Sequence, residues 1–312
     1  MLKLENINKR YGKQEILDNF CLELEEGDFF GFIGGNGVGK TTLLKIAACL
    51  LKPDSGEVYV DGINGMRHPY QARNHIGYVP DHFGLYDSLT VEEYMEFYAE
   101  TYGLDGMKAK YLCMDILTGM HLEEYTNVFV DTLSRGMKQR LCMARALIHN
   151  PNILILDEPF SGIDNELRRE MNELCRDMAR NGKIVMFSSH QLSDIEQICN
   201  KVGVLKNGHL EICMNVDEIT SHEQISQEIE IHVSDRLEDC KNLLRGETAV
   251  LSVSSDRERN TITVRGHFTE EEMTGILKKL ISKDIPVVSY HRKDAPVEQL
   301  FEMVSSQKRR IM

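Results

Sequence analysis

An α/β fold with a parallel sheet is predicted by three short apolar runs, each stopping at groups able to hold a phosphate or a metal. They are "FFGFIG" (29–34), which leads into "GNGVGKTT"; "NILILDEP" (152–159), which closes on Asp157 and Glu158; and "KIVMFSSH" (183–190), which closes on His190. Strands that are apolar at every position are buried on both faces, as in a parallel sheet covered by helices. Open sheets of this kind bind ligands beyond the carboxyl ends of their strands. The three endings therefore predict one shared site.

Bulk properties exclude several alternatives. The 312 residues carry a net charge of −13, which gives nucleic-acid binding no support. Eight cysteines lie scattered without a C-x-x-C pair, the pattern of a reduced cytosolic protein rather than a disulfide framework or a zinc site. The opening "MLKLENINKRYG" lacks the apolar stretch of a signal peptide. No apolar run approaches the roughly 18 residues that a membrane span needs. The expected protein is soluble, or reaches a membrane only through a partner.

The first run ends in G-x-x-x-x-G-K-[ST], with Gly34, Gly39, Lys40 and Thr41 at the defining positions. Glycines let backbone N–H groups turn inward around phosphates, and the following helix, "TTLLKIAACLL", adds the positive potential of its N-terminus. Gly34, Gly35, Asn36, Gly37, Val38, Gly39, Lys40, Thr41 and Thr42 are the expected nucleotide-binding residues. Lys40 is placed to reach the β- and γ-phosphates of ATP, and the Thr41 hydroxyl to ligate Mg²⁺. At the end of the second run, Asp157 would hold Mg²⁺ through water, and Glu158 would polarise the attacking water. His190 follows the third run at the same place, where a lone histidine serves structure as readily as chemistry. Each ending alone is ambiguous, and their convergence carries the reading.

A fourth stretch, "LSRGMKQRL" (133–141), is a Ser-x-Gly followed by a helical run, which is a helix start suited to an anion. Leu133, Met137, Leu141, Ala144 and Ile148 recur at helical spacing, and Pro151 helps to stop the helix.

Taken together, these motifs resemble an ATP-binding cassette ATPase, the nucleotide-binding subunit of an ABC transporter. "GGNGVGKTT" is similar to the family's P-loop, "ILILDEP" to its Walker B strand, "SGID" (161–164) to its D-loop, and His190 to its switch histidine. "LSRGMKQRL" resembles the signature LSGGQxQR, and Tyr11 stands where the family stacks an aromatic ring on adenine. The resemblance implies a P-loop NTPase cassette over residues 1–215, with a helical subdomain at about 82–150. It also implies that Ser134 and Gly136 face the γ-phosphate held by a second copy, so that two ATP molecules lie between two chains. A separate transmembrane permease is the implied further partner, with the chain on the cytoplasmic face of the membrane. The alternatives are a soluble ABC ATPase without a transport role, or a slowly hydrolysing module gated by nucleotide.

Three positions depart from the pattern. Arg135 replaces the first signature glycine, and Met137 replaces the usual glutamine. Asp81, in "YVPD", stands where the Q-loop carries glutamine. By resemblance Asp81 is the coupling residue towards the permease, and its carboxylate can still accept from a metal-bound water. After it comes "TVEEYMEFYAETYG", with a capping box at Thr90 and Glu93 and an apolar stripe through Val91, Tyr94, Met95 and Tyr98. Phe83 and Tyr86 are the aromatics best placed to meet the permease.

Residues 216–312 read as a small α+β accessory domain. "EIEIHVSD", "TAVLSVSSD", "NTITVRGHF" and "IPVVSYH" alternate like half-buried strands. "TEEEMTGILKKLISKD" opens with the capping box Thr269 and Glu272, and places Met273, Ile276, Leu277, Leu280 and Ile281 on one face. "APVEQLFEMV" is expected as a closing helix. His232, His267 and His291 lack ligand spacing. Single cassettes with such an extension resemble the subunits that energise ABC-2 type exporters.

Overall fold

The computed structural model describes residues 1–35, 37–82, 84–189, 194–195, 198–219, 227–247, 249–257, 259–266 and 268–293. Asn36, Phe83, His190, His267 and the expected closing helix lie outside the described residues. The chain divides into two units, Met1–Asn215 and Val216–Met312.

In the first unit a hairpin of β1 (Leu2–Tyr11) and β2 (Gln14–Leu24) precedes β3 (Phe29–Ile33), which is buried at every position. The glycine loop follows, then α1 (Lys40–Ala47), β4 (Ser55–Val60), β5 (Ile63–Asn64), α2 (Pro69–Arg73) and β6 (Ile76–Val79). Three helices come next: α3 (Val91–Thr101), α4 (Gly106–Gly119) and α5 (Arg135–Leu147). The unit closes with β7 (Ile153–Asp157), α6 (Asn165–Arg180), β8 (Ile184–Ser188), β9 (Lys201–Lys206) and β10 (His209–Asn215).

Among the described residues these strands make two sheets. One is antiparallel, in the order β2-β1-β4-β5; the other has the order β10-β9-β3-β8-β7-β6. In the second sheet β9, β3, β8, β7 and β6 are parallel, and β10 pairs antiparallel at the edge. The three apolar runs are thus neighbours, β3-β8-β7, and their carboxyl ends lie side by side. Registers fix the alignment: Phe32 opposes Ser188, and Asp157 opposes the same Ser188 from the other side. The core beneath joins Phe30, Phe32, Leu43, Leu44, Ile153, Ile155 and Met186 to the inner face of the antiparallel sheet.

Caps set the helix starts. Thr90 accepts from the Glu93 N–H at 3.3 Å while Glu93 accepts from the Thr90 N–H at 2.9 Å, the reciprocal pair expected from the sequence. Ser134 caps α5 by accepting from the Met137 N–H at 3.3 Å, and Asp164 caps α6 by accepting from the Leu167 N–H at 2.9 Å. In α3 the stripe buries Val91, Tyr94 and Met95, with Ala99 added and Tyr98 only half-buried.

The second unit runs β11 (Gln227–Val233), α7 (Leu237–Leu244), β12 (Val250–Asp256), β13 (Thr261–Gly266), α8 (Glu270–Ser282) and β14 (Val287–Lys293). Its antiparallel sheet has the order β12-β13-β11-β14, the split β-α-β arrangement of ferredoxin-like domains. Two sequence expectations need correction here. Helix α7 was not anticipated, because "LEDCKNLL" offers only Cys240 and Leu244 as fully buried anchors. Ile281, expected on the buried face of α8, is 60% exposed; Ile276 and Leu280 fill that face, and Ile285 beyond the helix joins them.

Each unit has a core of its own. A chain ending at Asn215 is therefore expected to unfold cooperatively and to bind ATP as the full chain does. Thermal unfolding and nucleotide titration check this, and a broad non-cooperative melt would show that the boundary cuts a shared core.

Candidate nucleotide site

The loop after β3 can form only because glycine occupies its last position. Gly39 sits at φ 107° immediately before α1, and a Cβ on it would lie 2.7 Å from Ile16 Cγ2. The first turn of α1 carries no acidic residue to offset its N-terminal dipole. Around this start is a cavity of about 290 Å³ lined by Ile16, Gly35, Gly37, Gly39, Lys40, Thr41, Thr42 and Glu158.

Lys40 is only 8% exposed, yet its ammonium is well satisfied. It donates to the Gly34 carbonyl at 2.7 Å and to the Gly35 carbonyl at 3.3 Å, and stands 4.0 Å from Glu158 Oε1. Burial lowers its pKa, and the Glu158 and Asp157 carboxylates pull it the other way. The cavity thus has a fixed cation on one wall and a carboxylate facing it.

At the end of β7, Asp157 is 2% exposed and would be costly without partners. The buried Ser188 hydroxyl, directly opposite on β8, donates to Asp157 Oδ1 at 2.8 Å. Ser188 Oγ in turn accepts from the Glu158 N–H at 3.1 Å. Glu158 has φ 49°, a left-handed conformation unusual for a non-glycine residue, and its carboxylate reaches the cavity wall. Nearby, the buried Tyr78 hydroxyl has no hydrogen-bond partner among the described residues. Its pKa is raised by burial first, and then by the carboxylates of Asp157 and Asp81.

This donor set fits magnesium. Among the described residues, no group of three or more His, Cys, Asp or Glu converges on a metal cage. Mg²⁺ dehydrates reluctantly and needs only one or two protein oxygens when phosphates supply the others. Thr41, which lines the cavity, and the Asp157 carboxylate beside Glu158 carry oxygens that would suit such an ion.

Several expected residues stand apart from the cavity. Tyr11, at the end of β1, is 52% exposed, with the Lys9 ammonium 5.8 Å from its ring centre. Asp81 is half-buried just after β6, 3.8 Å from His82 Nδ1. Ser134 and Gly136 lie at the start of α5. None of these four lines the cavity, and neither do Gly34, Val38 or Asp157. Sequence reasoning missed Ile16, Ser188 and Gln139, whose buried amide donates to the Pro159 carbonyl at 3.0 Å. Only Ser188 left a signal, as the first polar residue after the apolar run 184–187.

Comparison with known proteins agrees with this geometry. Residues 17–161 match the family model for ABC transporters. The linearmycin resistance ATP-binding protein of Bacillus subtilis (strain 168) is 30% identical over 301 residues, which cover 96% of this chain and 97% of that protein. The chain belongs to the ATP-binding subunits of ABC transporters. The bacitracin transport ATP-binding protein of Bacillus licheniformis is 36% identical over 211 residues, 67% of this chain and 68% of that one. Among solved structures, a dimeric ATP-binding cassette in a post-hydrolysis state with ADP and Pi aligns with a TM-score of 0.63 and 30% identity. It covers 69% of this chain and 99% of that one. The activity of this ABC subunit is ATP hydrolysis, with Mg²⁺ as cofactor.

Replacing Ser188 by alanine removes the donor to Asp157 and the acceptor of the Glu158 N–H at once. Stability is expected to fall by about 1–3 kcal/mol, the usual cost of stranding buried polar groups. Turnover should fall further than ATP affinity, because Glu158 loses its backbone anchor. Chemical unfolding together with kcat and KM for ATP checks both effects.

Proposed function

We propose that two copies of this chain close head to tail on two ATP molecules and drive export through a separate membrane permease. One observation carries the reading: the cavity unites the phosphate-binding loop with Glu158 but leaves Ser134 and Gly136 outside it. A helix start capped by serine, with glycine two residues on, suits a terminal phosphate approaching from another molecule.

Within one chain, the backbone N–H groups of residues 35–42 cradle the phosphates, and Lys40 neutralises charge on the β- and γ-oxygens. Thr41 and Asp157 would hold Mg²⁺, with Asp81 as a further oxygen donor, and the ion when bound would offset charge on the phosphate oxygens. Glu158 accepts the proton of the attacking water, and its left-handed backbone keeps the carboxylate turned into the cavity. His190 assists at the γ-phosphate, and the exposed ring of Tyr11 stacks on adenine.

No helix among the described residues is long and apolar enough to cross a membrane. We place the chain on the cytoplasmic face, held there by the permease. The exposed rings of Tyr86, Phe97 and Tyr102 give the α3 region a surface for that partner, and Asp81 lies between this surface and the metal-binding residues in sequence. The export direction rests on a relative named for Nod factor export, 28% identical over 301 residues. Nucleic acid is not a partner of this acidic chain.

Two expected outcomes follow. Glu158→Gln keeps the side-chain shape but cannot accept a proton, so Mg-ATP should hold the variant as a dimer in size-exclusion chromatography while turnover stops. A monomer with ATP bound would count against the sandwich. Second, Lys40→Ala and Ser134→Asp should each be nearly inactive alone. Aspartate still caps α5 but sets a negative charge against the incoming phosphate. Mixing the two restores turnover only if Ser134 serves the other chain's ATP, because one site of the mixed dimer is then intact.

A further inference from the structure

Arg135, the residue in place of the family's first signature glycine, does something that glycine cannot. From the first position of α5 its guanidinium donates through Nη2 to the Ser161 carbonyl at 3.0 Å. It lies so close over Gly162 that a Cβ there would fall 2.7 Å from Cζ, and Gly162 itself has φ 69°. The Ser161 N–H, in turn, donates to the Glu158 carbonyl at 3.2 Å. One hydrogen-bonded turn therefore separates Arg135 from the backbone of Glu158.

Further along α5, the Gln139 amide donates to the Pro159 carbonyl at 3.0 Å, and Arg140 pairs with Glu170 of α6 at 2.7 Å. These two contacts fasten the middle of the helix. At its first turn, where a Cβ on Gly136 would lie 3.2 Å from Leu167 Cδ2 of α6, the hydrogen bond to the 158–164 turn comes from Arg135. A planar guanidinium suits this task, because it can hydrogen-bond a carbonyl while its flat face covers a glycine.

We propose that Arg135 is a positioning residue that latches the Ser161–Gly162 turn to the start of α5. Ser134 and the backbone of Glu158 then move as one body within each chain. On the head-to-tail reading proposed above, these two residues serve different ATP molecules, so the latch links the two sites of the dimer. Closure of Ser134 on one phosphate is transmitted to the carboxylate that activates water at the other.

The test uses the full chain. Arg135→Ala should speed amide hydrogen exchange across 159–164 by roughly three- to tenfold without nucleotide, as expected for loss of one solvent-exposed hydrogen bond. It should lower kcat by a similar factor and leave the KM for ATP unchanged, and Arg135→Lys should recover part of both effects. Gly162→Ala, which collides with the guanidinium, should mimic the loss in the wild-type background. It should cost less when combined with Arg135→Ala, because the collision is then gone. Unchanged exchange in Arg135→Ala would overturn the latch, as would additive effects of the two substitutions. A raised KM with unchanged kcat would overturn it too, by making Arg135 a direct phosphate contact. Failure of the dimer reading shows separately, as a Glu158→Gln chain that binds Mg-ATP and stays monomeric. The exchange comparison needs no dimer and decides the latch in either case.

Discussion

A carboxylate buried at the end of a strand covered on both faces needs a polar partner, and the pairing of Asp157 with Ser188 is the interaction on which the site depends. Without the Ser188 hydroxyl, the carboxylate would be left without this donor beside the sheet, at a cost of about 1–3 kcal/mol. With it, the same oxygen can also receive the Glu158 N–H, and that second bond holds Glu158 in its left-handed conformation. The backbone then turns through Ser161, and Asp164 starts α6. One hydroxyl therefore sets the metal-binding carboxylate, the aim of the candidate base and the path of the chain leaving the sheet.

The opposite wall is built by a different constraint. Lys40 is buried, and its ammonium is held by two loop carbonyls and faced by Glu158. The cation is thus kept at the cavity instead of ranging through solvent, which is the condition under which a fixed charge is most effective on a phosphate. Ile16, reaching in from the antiparallel sheet, closes the loop from behind and excludes any side chain at position 39. The two sheets of the cassette meet at this glycine, so the phosphate loop is also a packing element.

Residues 216–312 contribute none of the candidate site residues. Their β-α-β-β-α-β order packs Ile229, Ile231, Ile262 and Val264 against Cys240, Leu244, Ile276 and Leu280. The strands and α8 were legible because period-two alternation and a capping box are local signals. Helix α7 was not, since eight residues with two buried anchors acquire their stability from the sheet beneath them.

By itself the sequence determined the parallel-sheet class, the phosphate loop, the paired acids, the helix caps and the family. All of these rest on residues close together in the chain, where spacing alone carries the chemistry. The tertiary structure decided which residues share the cavity. It brought in Ile16 from another sheet and set Ser188 opposite Asp157 through strand register. It also left Tyr11, Asp81, Ser134 and Gly136 outside the cavity wall. Arg135 makes the division plain. In the sequence it is one residue departing from a motif; in the fold it bonds a carbonyl 26 residues away. Such a contact exists only once two helices and the strand between them have packed, because no local pattern encodes a distance across a core.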